Sequence, residues 1–384
     1  MVVTGSRADY GHLYWLMREI AEDENLELCV VVTGQHLMPD FGETWKTIVE
    51  DGFKIAHRID LDLKGDRKAD AARATGRGLS AAAGLFESNP PDIVVLLGDR
   101  FEIFAVAAAA CMMNVPIAHL HGGELTEGAF DDQLRHAITK MAHFHFVADT
   151  VYGNRVIQMG EQPDRVIVAG APGLDHLYRS KLPSRVDLAE RFGLDLSDGF
   201  LLVTFHPETR GDGDSEAQTV ALIDALATRE DASFVITGVN SDPGYCAVND
   251  RLAAFAASLP DRVCLVSSLG QSYYWGALRE ADAVIGNSSS GVIEAPAVPT
   301  PSVNIGDRQK GRLRAPSVID CVADTASITT AIERALSPSF RENLSAPDGI
   351  DGKSSIRIKD HLRHLPLNRL GKPFYDIAGI SGAF

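Results

Sequence analysis

The sequence has 384 residues, of which 45% are hydrophobic and 23% are charged, and its formal net charge at pH 7 is −16. This composition is that of a globular chain long enough for two domains, and it argues against intrinsic disorder. Because no basic stripe or Lys/Arg run offsets the negative charge, the sequence also argues against binding to nucleic acid or to an anionic membrane.

The sequence also bears on location and redox state. No apolar run approaches the roughly 20 residues that span a bilayer, and the N-terminus lacks the basic start and cleavage site of a signal peptide. We therefore expect a cytoplasmic protein. The five cysteines include no C-x-x-C pair and mostly lie in apolar runs, so we expect buried, reduced thiols rather than disulfides or zinc ligands.

Short β-branched apolar runs alternate with amphipathic stretches along the chain. After a first strand that ends near Thr4, the predicted strands are 26–33, 92–97, 116–121, 166–169, 200–205, 233–237, 263–266, 283–286 and 301–305. The predicted helices are 11–22, 102–113, 132–141, 217–228, 248–257, 272–281 and 354–364. Several strands are apolar on both faces, which is typical of a parallel sheet covered by helices.

This alternation predicts an α/β fold with two Rossmann-like, doubly wound domains and a cleft between them. A polar stretch after Gly170 sets the boundary, so the predicted domains are residues 1–172 and 173–352. Residues 353–384 are expected to form a C-terminal helix and a tail that could cross back to the first domain. In open α/β sheets ligands bind at the carboxyl ends of the strands, so the residues just after each strand are the candidate site residues.

Polar and titratable residues gather at these strand exits. The exits read TGSRAD at 4–9, GDR at 98–100, HGGE at 121–124, HPET at 206–209, GNSSSG at 286–291 and GDRQ at 306–309.

The GNSSSG run predicts a phosphate site. Its glycines let a ligand approach the backbone, and a helix that begins near Gly291 would present free N–H groups beside Ser288, Ser289 and Ser290. Glu294 is expected in the first turn of that helix. The alternative is that serine is a plain N-cap.

Three further residues at strand exits are candidate phosphate ligands: the arginines Arg7 and Arg308 and the histidine His206. An arginine can fork onto a phosphate or carboxylate, and a strand-end histidine can bind a diphosphate or carry a proton. The alternatives are a surface ion pair, with Asp9 in the case of Arg7, and a purely structural histidine.

Four carboxylates form an acidic group: Asp99, Glu124, Asp131 and Asp132. Elimination and hydration need a base that removes a carbon-bound proton and an acid that supports a leaving group, and neighbouring carboxylates with separated pKa values supply both. The alternatives are helix caps or helix-face pairs of Asp131 with Arg135 and of Asp132 with His136. A metal cluster must also be considered, since His119 and His121 are expected on one face of a strand, with Glu124 and the two aspartates nearby. Against it, no ligand spacing such as H-E-x-x-H is present.

Six motifs occur in chain order: TGSRADYG, GDRFE, HGGELTEGAFDDQLRHAITKM, FHPET, GNSSSGVIEAP and NIGDRQKGR. Together they resemble the hydrolysing UDP-N-acetylglucosamine 2-epimerases of bacterial sialic-acid and legionaminic-acid synthesis, and the epimerase half of the bifunctional animal enzyme. The similarity runs from residue 4 to about residue 320. The resemblance implies a GT-B-like fold with UDP in the cleft, no metal and no nicotinamide cofactor, and a homodimer or homotetramer.

The resemblance also implies a reaction and residue roles. UDP is eliminated across C1 and C2 of the sugar to give a 2-acetamidoglucal, and water then adds to give N-acetylmannosamine. Asp99 and the Asp131–Asp132 pair, Asp131 foremost, match the acid/base carboxylates, and Glu124 matches the glutamate of the G-G-E motif. The residues that match UDP-binding groups are Arg7, His206, Ser288, Ser289, Ser290, Gly291, Glu294 and Arg308.

His121 is a departure from part of the family. The animal enzyme and some relatives have a catalytic glutamate at this position, whereas several bacterial members share the histidine. Either His121 takes over a proton-transfer step, or the proton passes through Asp99 and Asp131.

The expected activity is conversion of UDP-N-acetylglucosamine and water to N-acetylmannosamine and UDP. The nearest competing activity is the same chemistry on UDP-2,4-diacetamido-2,4,6-trideoxyglucose, also called UDP-N,N'-diacetylbacillosamine. The sequence is also compatible with a non-hydrolysing epimerase, a glycosyltransferase of the same fold or a non-catalytic UDP-sugar-binding protein.

Overall fold

The computed structural model describes residues 1–208, 214–368 and 370–377, and the chain divides into two compact units. Unit 1 comprises Met1–Glu124, Asp131–Asp175 and the described residues from Asp351 onward. Unit 2 comprises Leu125–Phe130 and His176–Ile350. The short segment between Glu124 and Asp131 therefore belongs to unit 2, although its flanks belong to unit 1.

Strands and helices alternate throughout unit 1 and from residue 200 to residue 305 of unit 2. The elements of unit 1 are β1 Val2–Thr4, α1 Arg7–Ala21, β2 Val30–Thr33, α2 Trp45–Glu50, β3 Ile55–Ile59, α3 Lys68–Ser88, β4 Val94–Leu97, α4 Phe101–Met112, β5 Ile117–Leu120, α5 Asp131–Met141, β6 Phe144–Val147, α6 Thr150–Gln158 and β7 Val166–Val168. The elements of unit 2 are α7 His176–Arg179, α8 Arg185–Phe192, β8 Phe200–Thr204, α9 Ser215–Ala227, β9 Ser233–Thr237, α10 Tyr245–Ser258, β10 Val263–Val266, α11 Gln271–Glu280, β11 Ala283–Gly286, α12 Ser290–Ala297, β12 Ser302–Ile305, β13 Val318–Cys321, α13 Thr325–Leu336 and α14 Pro338–Arg341. The chain then returns to unit 1 with α15, Ser354–Leu362.

Unit 1 is built on a seven-stranded parallel sheet of order β3-β2-β1-β4-β5-β6-β7. The strands are short and apolar on both faces, as in β4, where all four residues are buried. Helices cover both faces, and the core on one of them includes Leu13 and Leu16 of α1 together with Ile358 of α15. The strand order reverses between β1 and β4, which makes the loops after these two strands the switch point of the sheet.

Unit 2 is built on a six-stranded parallel sheet of order β10-β9-β8-β11-β12-β13. One core cluster packs α9, α10 and α13 against the sheet, around fully buried residues such as Leu222 and Phe234. The order of this sheet reverses between β8 and β11, so its switch point lies at the exits of those strands. Two doubly wound parallel sheets confirm the predicted α/β class.

The sequence prediction misplaced the start of one strand and missed several elements that the structure contains. Strands β9, β10 and β11 have the predicted bounds, whereas β2 begins at Val30 instead of residue 26. The prediction omitted β3, β6, β13 and the 21-residue helix α3. Helix α3 contains glycines that weaken a helix pattern, and one of them, Gly78, packs closely: a Cβ there would lie 2.7 Å from Leu61 Cδ2.

The C-terminal segment of unit 1 closes on the end of α5. Lys372 Nζ donates to the carbonyl oxygens of Lys140 at 2.6 Å and Ala142 at 2.5 Å, and it lies 2.7 Å from Glu161 Oε2. A lysine at these carbonyls satisfies groups that a helix end leaves free and complements its dipole. The tail thus fixes the C-terminus of the helix that begins with Asp131.

The cysteines correct one expectation. All five are free, but Cys111 and Cys246 are exposed and the other three are half-buried. The prediction of buried thiols is therefore wrong for Cys111 and Cys246, because each lies on an outward-facing side of its helix. Burial raises the pKa of the Cys321 thiol to about 12. No helix among the described residues is long and apolar enough to cross a membrane.

Candidate active site

The loop after β1 carries Arg7 at the switch point of unit 1. Ser6 is the N-cap of α1, and its hydroxyl accepts the N–H of Asp9 at 3.3 Å. Arg7 is the first residue of the helix and is half-buried. A Cβ on Gly5 would lie 2.6 Å from Glu102 Cγ, so only glycine lets the loop turn this closely against α4.

Asp9 is a buried carboxyl group that the sequence suggested only as a partner for Arg7. It is 6% exposed, and its Oδ2 accepts the Gly5 N–H at 3.2 Å. Burial raises the pKa of Asp9 to about 6, and nearby Arg100 opposes that rise only in part. Because its Oδ2 accepts the Gly5 N–H, this carboxyl group fixes the shape of the TGSRAD loop.

Arg135 joins the acidic candidates of unit 1. Its side chain is 2% exposed and pairs through Nη2 with Asp99 Oδ2. Nη1 donates to the Glu124 carbonyl oxygen at 3.0 Å and lies 3.9 Å from Asp132 Oδ1. The sequence suggested Arg135 only as a helix-face partner of Asp131. The structure shows that its buried guanidinium also connects the exits of β4 and β5 to the start of α5.

Asp131 and Asp132 are the first two residues of α5. Negative charge at a helix N-terminus is favourable, because the free N–H groups and the dipole stabilise it. Asp131 is 8% exposed. Asp132 Oδ2 lies 3.7 Å from His136 Nε2, so the predicted Asp132–His136 pair is present, and burial lowers the pKa of His136.

His121 and Glu124 form a hydrogen-bonded pair at the exit of β5. His121 Nδ1 lies 2.5 Å from Glu124 Oε1, and the two residues are only 7% and 2% exposed. An ionised carboxylate can only accept, so Nδ1 donates in this bond, and in the corresponding neutral tautomer the lone pair is on Nε2. That Nε2 is buried and has no hydrogen-bond partner among the described residues.

The backbone of His121 has a φ of +60°, a conformation that is uncommon for a residue other than glycine. Such a conformation costs of order 1–3 kcal/mol and persists where surrounding contacts fix it. Here the His121 N–H donates to the Phe146 carbonyl at 3.1 Å, and Glu124 holds the ring. His121 therefore combines this uncommon backbone conformation with a buried Nε2 that has no hydrogen-bond partner among the described residues.

The expectation that His119 and His121 lie on one face of a strand is wrong. His119 lies in β5 and is fully buried, with Nδ1 3.1 Å from Thr139 Oγ1 and Nε2 2.8 Å from the Gly98 carbonyl oxygen. Burial lowers the pKa of His119 to about 3, so the ring is neutral. His121 follows the strand with a positive φ. Within the part of the chain that the structure describes, no group of three or more His, Cys, Asp or Glu residues could hold a metal ion.

In unit 2 the GNSSSG run makes the turn from β11 into α12. Gly286 has a φ of +142°, and a Cβ there would lie 1.9 Å from the Thr204 carbonyl oxygen. Ser289 is the N-cap, but its side chain makes no capping hydrogen bond, so the plain-cap alternative does not describe it. Ser288 Oγ accepts the Ser290 N–H at 3.4 Å, and Tyr274 Oη donates to Ser290 Oγ at 2.5 Å.

Glu294 corrects another expectation. It is the fifth residue of α12, which begins at Ser290, and so lies beyond the first turn. The helix starts one residue earlier than predicted, because Ser290 already has a helical backbone. Glu294 is 7% exposed, and Gly291 packs so closely that a Cβ there would lie 2.8 Å from Ser302 Oγ.

His206 and Arg308 lie at the exits of β8 and β12. His206 is 4% exposed, and its Nδ1 accepts the Asn240 N–H at 3.2 Å, so its neutral ring carries the proton on Nε2 as a donor. Arg308 is 7% exposed and lies 3.4 Å from Asp242, a residue that no sequence motif indicated. The threonine of the HPET motif, Thr209, lies outside the described residues.

The segment Leu125–Phe130 packs against the loop after β12 within unit 2. The Glu127 N–H donates to the Lys310 carbonyl at 3.0 Å. A Cβ on Gly128 would lie 2.4 Å from the Asp307 carbonyl oxygen and 2.6 Å from Arg308 Cα. Because these are backbone atoms that cannot move aside cheaply, only glycine fits at this contact.

Comparison with known proteins decides the family. The family described as UDP-N-acetylglucosamine 2-epimerase matches residues 18–363 of this chain. The chain belongs to that family. The resemblance stated from the six motifs is therefore confirmed at the family level.

Two curated members of the epimerase family cover most of this chain. A GDP/UDP-N,N'-diacetylbacillosamine 2-epimerase (hydrolyzing) of Campylobacter jejuni is 37% identical over 342 residues, which are 89% of this chain and 88% of that protein. A UDP-N,N'-diacetylbacillosamine 2-epimerase (hydrolyzing) of Legionella pneumophila is 36% identical, over 95% of this chain and 96% of that protein.

A solved epimerase structure supports the fold. The UDP-GlcNAc 2-epimerase from Neisseria meningitidis bound to UDP-GlcNAc has a TM-score of 0.78 and 19% sequence identity, and the match covers 95% of this chain and 99% of that one. The similarity shows that this family member shares the GT-B-like α/β architecture of that epimerase.

Proposed function

We propose that this epimerase is hydrolysing: it converts a UDP-2-acetamido sugar and water to UDP and the free sugar epimerised at C2. The observation that carries the proposal is the buried His121–Glu124 pair, whose ring Nε2 has no partner among the described residues. A histidine whose ring is held by a carboxylate in this way is suited to act as a general base and then as a general acid.

The proposed chemistry has two stages. A base removes the C2 proton, the C–H electron pair forms the C1–C2 double bond, and the C1–O electron pair leaves with UDP. Water then adds its hydroxyl group to C1 of the resulting 2-acetamidoglucal, and a proton returns to C2 on the opposite face. The sum is hydrolysis with inversion at C2, and it requires neither a metal ion nor a nicotinamide.

Within unit 1 we propose that His121 Nε2 performs the proton transfer at C2. Glu124 holds the ring in one tautomer and stabilises the imidazolium that forms, as a carboxylate does for a catalytic histidine. Asp99, Asp131 and Asp132 are proposed to supply the remaining acid and base functions. Because Arg135 connects Asp99 and Asp132, these two carboxylates would act together.

Within unit 2 we propose a diphosphate site. Its proposed members are His206, Ser288, Ser289, Ser290, Gly291 and Arg308, with Glu294 holding the ribose. Arg7, which lies in unit 1, remains a proposed diphosphate ligand. His206 would donate from Nε2, since Nδ1 is occupied by a backbone N–H. Arg308 and the N–H groups at the start of α12 would supply the positive potential that an anion requires.

Three sequence expectations remain part of the proposal. They are the division into functional domains at 1–172 and 173–352 with the segment 353–384 returning to the first, a homodimeric or homotetrameric assembly, and a cytoplasmic location. Light scattering of the purified protein across a concentration range tests the assembly.

For the sugar, we propose UDP-N,N'-diacetylbacillosamine ahead of UDP-N-acetylglucosamine. The two curated relatives, at 37% and 36% identity, carry diacetylbacillosamine in their names. UDP-N-acetylglucosamine was the first expectation from the sequence, and it is the ligand of the solved neighbour at 19% identity. The Campylobacter name also includes GDP, so the nucleotide is part of the test.

The deciding experiment incubates the enzyme separately with UDP-N,N'-diacetylbacillosamine, GDP-N,N'-diacetylbacillosamine and UDP-N-acetylglucosamine in D2O. Nucleotide release and proton NMR of the sugar are followed together. We expect free sugar epimerised at C2 with deuterium at that carbon, and the highest kcat/KM for UDP-N,N'-diacetylbacillosamine. A nucleotide-linked epimer would identify a non-hydrolysing enzyme, and no turnover of any substrate at high enzyme concentration would contradict the proposal.

A matched pair of variants ties the reaction to the site. His121→Gln should abolish both deuterium incorporation and nucleotide release. His57→Gln removes a half-buried histidine from strand β3, away from the strand exits, and should leave both unchanged. Equal activity of the two variants would remove His121 from the mechanism.

A further inference from the structure

We propose that Asn287 is a positioning residue that connects three strand exits of unit 2 and thereby sets the spacing of the diphosphate-binding groups. The inference rests on the proposed UDP site. Asn287 is fully buried and follows β11 directly. Neither its residue type nor its place in the GNSSSG run distinguishes it from a loop residue.

The side chain of Asn287 holds the exit of β8. Its Oδ1 accepts the His206 N–H at 2.7 Å, and its Nδ2 donates to the His206 carbonyl oxygen at 2.8 Å. The two bonds need an acceptor on one side and a donor on the other, so they fix the orientation of the amide uniquely. Since both bonds reach the backbone of His206, they fix the position of that backbone and the direction of its Cα–Cβ bond.

The backbone of Asn287 holds the exit of β12. Its carbonyl oxygen accepts Gln309 Nε2 at 2.9 Å and Arg308 Nη1 at 3.4 Å. Its N–H donates to the Thr204 carbonyl at 3.1 Å, which continues the β8–β11 ladder. Asn287 therefore contacts the exits of β8 and β12, and it directly precedes the Ser288–Ser290 run.

These contacts separate Asn287 from the residues proposed to bind the ligand. Its side-chain amide, its carbonyl oxygen and its N–H each form a hydrogen bond with protein, and the residue is fully buried. It acts instead on His206, Arg308 and the start of the Ser288–Ser290 run. Donors that are already at the right spacing lose little entropy when an anion binds, and the affinity for the charged part of the ligand depends on that spacing.

The test compares Asn287→Ala with Thr300→Ala. Thr300 is 4% exposed, and its hydroxyl donates to the Leu278 carbonyl at 2.7 Å, just before β12 and hence at the opposite edge of the sheet. Both variants remove a buried polar group from unit 2. Melting temperatures measure the structural cost of each change, and calorimetry with UDP and competition NMR with uridine measure binding.

We expect Asn287→Ala to weaken UDP binding by about tenfold or more, while uridine affinity changes less than about twofold. In turnover, KM for the nucleotide sugar should rise by a larger factor than kcat falls. Thr300→Ala should lower the melting temperature without changing the ratio of UDP to uridine affinity. An unchanged ratio in Asn287→Ala, or the same change in both variants, would overturn the inference.

Two further arms keep the result decisive. If Asn287→Ala does not fold, Asn287→Ser, whose hydroxyl can replace one hydrogen bond but not two, should show an intermediate loss of UDP affinity; a wild-type ratio would again overturn the inference. Wild-type protein that does not bind UDP would refute the proposed function itself. Wild-type protein that binds UDP, with an unaffected Asn287 variant, refutes only the positioning role.

Discussion

Asp9→Asn should stabilise unit 1 at neutral pH and lose that advantage in acid. Burial raises the pKa of Asp9 from 3.8 to about 6. The unfolded chain exposes the group, so between these two values the native state holds the proton and the unfolded state does not. Stability therefore falls as pH rises through this window, and the ionised carboxylate opposes folding at neutral pH.

The size of the effect follows from the two pKa values. A shift from 3.8 to about 6 corresponds to about 3 kcal/mol at pH 7.5 and to roughly half of that at pH 5. Asparagine has no charge to desolvate, and its Oδ1 can still accept the Gly5 N–H. We expect the variant to be more stable by up to about 3 kcal/mol at pH 7.5, with an advantage roughly half as large at pH 5.

Urea unfolding followed by tryptophan fluorescence measures this in unit 1. The chain has three tryptophans; Trp15 and Trp45 lie in unit 1 and Trp275 in unit 2, so a Trp275→Phe background restricts the signal to unit 1. Asp40→Asn, at an exposed position of the same unit, is the control and should show no pH-dependent difference. A stability difference for Asp9→Asn that is constant from pH 5 to 7.5, or that grows in acid, would refute the reasoning.

Three further predictions follow from other contacts. Glu124→Gln can present an amide donor to Nδ1 of His121 and so favour the wrong tautomer. We expect kcat to fall by about 10²–10⁴, with UDP affinity unchanged in calorimetry. Wild-type turnover would contradict the proposed role of the His121–Glu124 pair. Gly128→Ala places a Cβ 2.4 Å from a backbone carbonyl and should weaken UDP binding several-fold, whereas Gly84→Ala, which meets no atom within 4 Å, should not. Lys372→Ala removes the donor from three carbonyls and a carboxylate, so denaturant unfolding should show unit 1 about 2 kcal/mol less stable; an unchanged midpoint would mean that the tail does not hold α5.

The strands that the sequence predicted best are those whose apolar runs are uninterrupted. The strand β11 is fully buried, and its run reads directly as a parallel strand. The strand β6 is also fully buried, yet its FHFV sequence includes His145. Nε2 of that histidine lies 3.0 Å from Glu161 Oε2, a partner 16 positions away, which no local pattern indicates.

The titratable residues at strand exits could also be predicted from the sequence, because chain order and strand ends place them at one edge of each sheet. Arg135 and Asn287 could not be predicted as site residues. Each lies in a segment where its residue type suggests solvent contact, an i,i+4 pair for the arginine and a turn for the asparagine. Their importance comes from burial among partners distant in sequence, such as Asp99, 36 positions from Arg135, and His206, 81 positions from Asn287.

The burial of Arg135 changes how an Asp99→Asn variant must be interpreted. The guanidinium is 2% exposed and Asp99 is 19% exposed, so removing the carboxylate leaves a largely buried positive charge with Asp132 at 3.9 Å. Breaking such a pair costs up to about 3–5 kcal/mol, and less here because water reaches Asp99. Lost turnover in Asp99→Asn therefore combines lost proton chemistry with a displaced arginine. The double variant Asp99→Asn with Arg135→Met separates the two: if stability returns and turnover does not, Asp99 acts on the substrate, and if both return, its role is to hold Arg135.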